Sequence, residues 1–332
     1  MGVPFPVLDH NMPVAVSGVR AVVLAYGLDR QFEPLLGSLA AEGFPLDHVL
    51  LVHNPSAPGE GLPAAPPECE VLSAGYNRGY AAAMNLGIER QLAAGAELLL
   101  ILTHDARLRP GALGSLIEAA RQNPDYGALG PALVFTGTDT PFSFGGLTDR
   151  NGTMRHINRA PDAVDGMVPC DWIDGGTMLI RTEVLSRVGG FDERFWSYCE
   201  DAELCLRIVR SGWRVGVVLD ALADQSPGGS KRPGPWAYLL TRNGASYVRA
   251  AYGSRVAVRL LIRTGLHAMR DVLRALARAL RLRQGAASEP WALAVGASRG
   301  AVDFLRGHWG PPPPLPGGSD LRNLTPSEPA GE

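Results

Sequence analysis

The stretch ELLLILTHDARLRPGAL, residues 97–113, decides the fold. Residues 98–102 are uninterrupted Leu and Ile, too few to cross a membrane and too uniformly apolar for a strand with one wet face. They read as a strand covered on both faces, the kind found in parallel sheets. The run stops at Thr103-His104-Asp105, and Pro110-Gly111 then open a helical pattern over about 111–122. Upstream, VRAVVLA (19–25) closing on Tyr26-Gly27 and HVLLVH (48–53) closing on Asn54-Pro55 repeat the signature of a buried strand meeting its loop. A helical stretch through Phe32, Leu35, Leu36 and Leu39 joins those two strands, a short strand is expected near 70–72, and an Ala-rich helix at about 80–92. Downstream the alternation continues with strands at 127–135, 177–181 and 214–219, a helix at 182–188 capped by Thr182, and another at 200–211. Such alternation predicts an α/β fold, a mostly parallel central sheet with flanking helices, whose ligands bind beyond the carboxyl ends of the strands. Residues 136–170, rich in Gly, Thr, Asp and Asn, are expected as an irregular excursion or a hairpin.

The division expected along the 332 residues is an N-terminal extension (1–18), an α/β domain (19–250), a helical accessory region (251–310) and a disordered tail from Pro311 (311–332). Hydrophobic residues at 46% supply a sizeable core, and a formal charge of -2 argues against nucleic acid as a general partner. Cys69, Cys170, Cys199 and Cys205 form no C-x-x-C pair, so neither a zinc site nor a disulfide framework is expected, and a reducing, cytoplasmic setting fits best. No basic leader or spanning run is expected at the N-terminus.

Three constellations carry possible chemistry. Asp105 follows the central strand, where it either caps a turn or holds a divalent cation against a diphosphate. Glu200, Asp201 and Glu203 open a helix after Trp196 and Tyr198; the macrodipole alone would favour acids there, yet an attacking hydroxyl also needs such a carboxylate as base, with the aromatics flanking a sugar ring. Finally Arg255, Arg259, Arg263, Arg270, Arg274, Arg278 and Arg281 recur every few residues between Arg255 and Arg283, either as a solvated face or as a contact with an anionic leaflet.

The order of several segments resembles the family-2 glycosyltransferases, particularly rhamnosyltransferase-like members, over about 19–250. Val52-His53-Asn54-Pro55-Ser56 is similar to their V-D-N-x-S; Asn77-Arg78-Gly79-Tyr80-Ala81 with Asn85 and Gly87 to their N-x-G-(F/Y)-A segment; and Thr103-His104-Asp105 to their metal-binding D-x-D. Trp172, Gly175, Met178, Leu179, Ile180 and Arg181 match a further text, 189–207 matches G-G-F-D-E-x-F-F-x-Y-x-E-D-x-D-L-x-x-R almost entire, and Arg242-Asn243 matches a later pair. The resemblance implies a GT-A type fold and an inverting transferase moving a sugar, such as rhamnose from a dTDP donor, to a hydroxyl acceptor of a cell-surface glycan, glycolipid or metabolite. It implies Asp201 as base with Glu200 in support. Donor contacts would come from Ala25, Tyr26, Gly27, His53, Asn54, Asn77, Arg78, Gly79, Asn85, His104 and Asp105, and acceptor contacts from Trp172, Gly175, Gly176, Trp196 and Tyr198. It also implies Mg²⁺ or Mn²⁺ on Asp105. His53, Thr103 and Gln225 depart from the family text. The first alters a nucleoside contact, and the other two weaken the metal site, for which Gln225 is a poor substitute and Arg78, Arg181 or Arg232 could neutralise the diphosphate instead. A degenerate, binding-only transferase and a sugar nucleotidylyltransferase are the alternatives; the latter's glycine-rich loop has Asp29 in place of a glycine.

Overall fold

The computed structural model describes residues 16–27, 32–159, 166–225, 232–282 and 288–317. The N-terminal segment 1–15, Asp29, Arg283 and the tail from 318 lie outside the described residues. In chain order the elements are β1 (Val19–Tyr26), α1 (Phe32–Ala41), β2 (Val49–Asn54), β3 (Glu70–Ser73), α2 (Gly79–Ala93), β4 (Leu98–Thr103), β5 (Arg107–Leu108), α3 (Ala112–Gln122) and β6 (Tyr126–Phe135). There follow β7 (Pro141–Ser143), β8 (Gly146–Thr148), β9 (Met154–His156), β10 (Met167–Pro169), β11 (Thr177–Arg181), α4 (Thr182–Val188), α5 (Glu200–Arg210) and β12 (Arg214–Gln225). Three helices close the chain: α6 (Pro233–Tyr252), α7 (Ser254–Leu282) and α8 (Ser288–Arg306).

The first compact unit comprises 1–147, 155–191 and 201–227. Its sheet runs β10-β12-β6-β11-β4-β1-β2-β3, with β5 beside β12 and β7 beside β6. β1 is parallel to β2 and β4, β2 to β3, and β6 to β12. β11 is antiparallel to both β4 and β6, so the strands on either side of it still point the same way. Alternation along β1 explains the layering: Val19, Ala21, Val23 and Ala25 join a cluster with Phe32, Leu35 and Leu39 of α1 and Leu113, Leu116 and Ile117 of α3. Val22 faces the other way, onto α2, where Gly87 comes so close that a Cβ there would lie 2.3 Å from Val22 Cγ1 and 2.9 Å from Val52 Cγ2. Helices therefore cover both faces, and each fully buried Leu or Val contributes about 1.5–3 kcal/mol.

Thr182 does not cap α4 as its type suggested. Its hydroxyl donates to the carbonyls of Ala96 and Glu97, and Arg181 occupies the N-cap position without a side-chain bond. The excursion after β6 resolves into β7, the separate β8–β9 pair and β10.

The second unit comprises 148–154, 192–200 and 228–332. The helical region thus begins at Pro233, earlier than the expected 251. Within this unit α6 and α8 meet at glycines: a Cβ on Gly296 would lie 2.1 Å from Gly234 O, and one on Gly300 2.4 Å from Tyr238 O. Order continues past Pro311, where a disordered tail was expected to begin: Leu315 is buried in a cluster with Trp196, Tyr238 and Leu239. Among the described residues no helix is long and apolar enough to cross a membrane.

Candidate functional site

In the first unit six parallel-pointing strands end at one sheet edge, at Tyr26, Asn54, Ser73, Thr103, Phe135 and Gln225. Gly175 and Gly176 enter β11 at that edge, where Thr103 N donates to Gly176 O at 3.0 Å. Tyr26, Asn54, Thr103 and Gln225 close four of those strands, and His104 and Asp105 follow β4 directly.

The end of β2 is locked by amides. Asn54 Nδ2 donates to Asn77 Oδ1 (3.2 Å) and Gly79 O (3.3 Å), its Oδ1 accepts Arg78 N (2.9 Å), and Asn77 Oδ1 accepts Gly79 N (3.0 Å). These bonds fix the left-handed Gly79 (φ 78°) and the entry to α2. Gly27, also left-handed, donates its N–H to Asn54 O. Arg78 lays its guanidinium over Tyr76 at 4.7 Å and gives Nε to Ala74 O. Asn85 is placed otherwise than expected: both ends of its amide bond the backbone of Phe191, so it ties α2 to that residue.

His53 is fully buried, and its Nε2 lies 3.0 Å from Glu60 Oε1. Desolvation alone would raise the Glu60 carboxyl, but hydrogen bonds from Ser56 and His53 outweigh it and hold the group below its usual value. An acid is therefore present beside the end of β2 although position 53 itself carries none. Sequence reasoning missed it because Glu60 lies in a Pro- and Gly-rich loop with no pattern.

Across the edge, Thr103, His104 and Asp105 are half-buried at the end of β4. Gln225 reaches the same place from β12. A Cβ on Gly176 would meet Gln225 Nε2 at 2.8 Å and Thr103 Oγ1 at 3.4 Å, so a side chain there would push the Gln225 amide aside. Among the described residues Gln225 Oε1 is buried without a partner, as is Arg107 Nε in β5, the strand that pairs with β12 beside Asp224. Arg181 is removed from any role at a diphosphate: its guanidinium donates to the carbonyls of Tyr126, Ala120 and Asn123. Among the described residues no three His, Cys, Asp or Glu side chains converge as a metal cluster.

Asp201 begins the α5 turn with Oδ2 accepting Gly175 N at 3.0 Å and Oδ1 accepting Ala202 N at 2.7 Å. Tyr80 OH donates to Gly175 O at 2.6 Å, which seats the following Gly175–Gly176 peptide. Asp174, a residue the sequence reading passed over, supplies the carbonyl half of the Asp174–Gly175 peptide, whose N–H Asp201 accepts. Its side chain accepts Ser143 Oγ at 2.9 Å, and His156 Nδ1 sits 3.0 Å from Ser143 Oγ and 3.7 Å from Asp174 Oδ1. Burial pushes Asp174 up to about 6 against the Ser143 hydrogen bond. Burial and then the Asp174 charge raise Asp201 as well, opposed by the Gly175 and Ala202 N–H groups. Burial likewise pushes the Cys170 thiol up to about 12 and Cys205 well above its ordinary value, so neither is a thiolate nucleophile at neutral pH. Trp172 is buried with its ring packed on Gly146, edge-on to His156 at 4.9 Å, and its Nε1 has no partner among the described residues.

The carboxylate pair yields a test with a definite sign. A folded-state value above the unfolded one means that the contribution is present below the ordinary pKa of 3.8 and is lost as pH rises through about 6. Ionised Asp174 therefore weakens the native state at pH 8. Asp174→Asn should raise stability there by about 1–3 kcal/mol, a gain that fades as pH falls toward 4. The same substitution should move the acid limb of kcat/KM downward, since it removes a negative charge near Asp201. Calorimetry at two pH values and one pH–rate profile check both; an unmoved limb would mean that the two carboxyls do not interact.

In the second unit Trp196 is placed inside a core cluster and not as a ring-flanking aromatic. Trp196 is buried with Tyr238, Leu239 and Leu315, and Tyr198 packs against the same cluster. Trp196, Tyr198 and Cys199 adopt left-handed φ of 65°, 70° and 67° without being glycine, in the segment that runs into Glu200 and Asp201. Asn243 of α6 holds that segment, donating Nδ2 to the carbonyls of Phe195 (2.7 Å), Ser197 (2.8 Å) and Tyr198 (2.9 Å). The fully buried Arg242 donates to Phe195 O, Gly310 O and Tyr238 OH.

Residues 17–248 match the family described as glycosyltransferase like family 2. The chain is similar to the N-acetylglucosaminyl-diphospho-decaprenol L-rhamnosyltransferase of Mycobacterium tuberculosis, 27% identical over 251 residues covering 68% of this chain and 82% of that protein. It also resembles the rhamnosyltransferase WbbL of Escherichia coli, 46% identical over 48 residues, 14% of this chain and 18% of that one. Among solved structures, the mannosyltransferase PcManGT from Pyrobaculum calidifontis, in complex with GDP-Man and Mn²⁺, superposes with a TM-score of 0.50 at 15% identity over 91% of this chain and 90% of that one, a likeness of fold.

Proposed function

The chain belongs to the glycosyltransferase-like family 2, and from that premise we propose that it moves a sugar, with inversion, from a nucleoside-diphosphate donor to an acceptor hydroxyl deprotonated by Asp201. The observation that carries the reading is the Asp201 carboxylate, fixed by Gly175 N–H and raised by burial and by Asp174, at the sheet edge where the donor strands end. A raised value suits a base working near neutral pH. As the acceptor oxygen bonds to the anomeric carbon, its proton passes to Asp201 and the bond to the diphosphate oxygen breaks. One displacement with one base inverts the centre.

The donor nucleotide lies along the ends of β1 and β2 in this reading, against Ala25, Tyr26, Gly27 and the Asn54–Asn77 lock, with Glu60 beside His53 replacing the missing acid. That replacement argues against the degenerate, binding-only alternative. Asp105 and the unpartnered Gln225 Oε1 are hard oxygen ligands, a set that fits Mg²⁺ or Mn²⁺ sharing its shell with phosphates better than a preformed all-protein site. When bound, such a cation would offset the charge of the leaving diphosphate. Arg78 and Arg107 are the cations of this chain nearest in role. Trp172, Gly175 and Gly176 border the acceptor in this reading. A rhamnosyl donor and a lipid-linked acceptor are drawn from the mycobacterial relative's name, and they favour a place at the cytoplasmic face of a membrane with the arginines between Arg255 and Arg283 toward it.

Thermal unfolding against nucleoside diphosphates and nucleotide sugars, with and without Mg²⁺ or Mn²⁺, tests the donor site. A ligand at 100 times its Kd should stabilise the chain by about 2.7 kcal/mol. Cation alone should give no shift, cation with one diphosphate class a full shift, and Asp105→Ala should remove the cation-dependent part. No shift with any donor would end the transferase assignment for this site.

A further inference from the structure

Arginines are only half of what α7 presents. Val258, Ile262, Leu266, Met269, Leu273 and Leu276 are 42–61% exposed, although each is a large apolar side chain. Their spacing of four, four, three, four and three residues gathers them within an arc of about 80° at 3.6 residues per turn. The helix uses a separate face, including Ala257, Leu261, Ala268 and Val272, about 100° around its circumference, where it packs in the helical unit against α6 and α8. The exposed stripe is thus not a core face in the described part of that unit. Arg259, Arg270 and Arg274, all exposed, run along its flank, while Arg263 lies there too and donates to Thr153 Oγ1. Across 29 residues the helix carries seven arginines and one acid, Asp271.

We infer that α7 lies in the surface of an anionic bilayer, its six exposed apolar side chains entering the acyl boundary and its flanking arginines engaging lipid phosphates. The proposal rests on the membrane-facing orientation given above and deepens it: the apolar wedge, not the charge alone, holds the helix. A helix with one apolar stripe, an adjoining basic stripe and too many charges to span is the form that settles at an interface. Charge decides between this occupant and a second copy of the chain. Pairing two such stripes would bring two arginine-rich flanks together with almost no acids to offset them, whereas an anionic leaflet complements every one. The apolar stripe is longer than an isolated exposed residue or two, which would need no explanation.

The test is sedimentation of the full chain with vesicles of phosphatidylcholine alone or with phosphatidylglycerol. Two triple variants accompany it, L266Q/M269Q/L273Q and R259Q/R270Q/R274Q, each checked by donor-induced thermal shift to show that the α/β unit is intact. The wild type is expected on the anionic vesicles and not on the neutral ones. The apolar variant should lose more than about tenfold in partition, with its residual binding abolished by salt. The arginine variant should lose its preference for anionic lipid. If the apolar variant binds as the wild type does, the wedge is overturned while a purely electrostatic contact survives. Absence of wild-type binding at low salt overturns both and leaves the donor-site reading untouched. A wild-type dimer in solution that the apolar variant makes monomeric, with no vesicle binding, assigns the stripe to self-association and overturns the proposal.

Discussion

Asp201→Asn is expected to lower kcat by about 10²–10⁴-fold while leaving the donor-induced thermal shift intact. The carboxylate sits within 3.0 Å of Gly175 N–H and 2.7 Å of Ala202 N–H, so the amide keeps an oxygen for one of these donors and turns an NH₂ toward the other. That mismatch costs about 1 kcal/mol, offset by relief of a buried charge facing Asp174, and the fold should hold. Proton acceptance is the property that disappears. Glu200→Gln makes the comparison informative: it alters the neighbouring buried acid and is expected to reduce turnover far less. Equal losses in the two variants would move the base assignment away from Asp201. Anomeric configuration of the product, read by NMR, provides the second arm, because retention is incompatible with a single displacement assisted by one base.

The sheet was legible where burial is continuous. β1, β2 and β4 are apolar on both faces, and their runs ended within a residue or two of the structural boundaries. Strand direction was not legible. Nothing in Thr177–Arg181 distinguishes an antiparallel strand inserted between β4 and β6 from another parallel one, since both are buried on two sides. At the site, residue types announced themselves only where local pattern and chemistry coincided, as in Glu200-Asp201 after Gly189-Gly190. Asp174 was passed over because its partners Ser143 and His156 lie 31 and 18 positions away, across an excursion without periodicity. Trp196 was read as a sugar-facing aromatic for want of knowing that Leu315, far along the chain, completes a cluster around it. Arg181 and Asn85 likewise had suitable chemistry for phosphate or donor, but their hydrogen-bonding capacity is taken up by backbone groups brought near only by the fold.

The second large effect is expected at Asn243, which bonds none of the candidate donor contacts. Its two amide hydrogens are shared among three carbonyls, those of Phe195, Ser197 and Tyr198. The same segment keeps Tyr198 and Cys199 at left-handed φ, each at about 1–2 kcal/mol above the right-handed alternative, and Trp196 (φ 65°, ψ −64°) in a strained γ-turn closed by Ser197 N–H on Phe195 O. Without Asn243 the segment can release that strain by flipping to ordinary backbone angles, and Glu200 and Asp201 follow it directly in sequence. Asn243→Ala should therefore destabilise the chain by about 3 kcal/mol, because, of the three carbonyls that lose their donor, only that of Phe195 keeps a bond from Arg242. It should also lower kcat by about 10–100-fold at temperatures where the variant is fully folded, as expected when a reacting group drifts by about 1 Å. The donor thermal shift and donor KM should change little, since the donor strands belong to other elements. Asn243→Ser, which retains one donor, should recover part of both losses. Assays well below the unfolding transition separate the two effects: turnover per folded molecule equal to the wild type in Asn243→Ala would show that the strained segment does not set the position of Asp201.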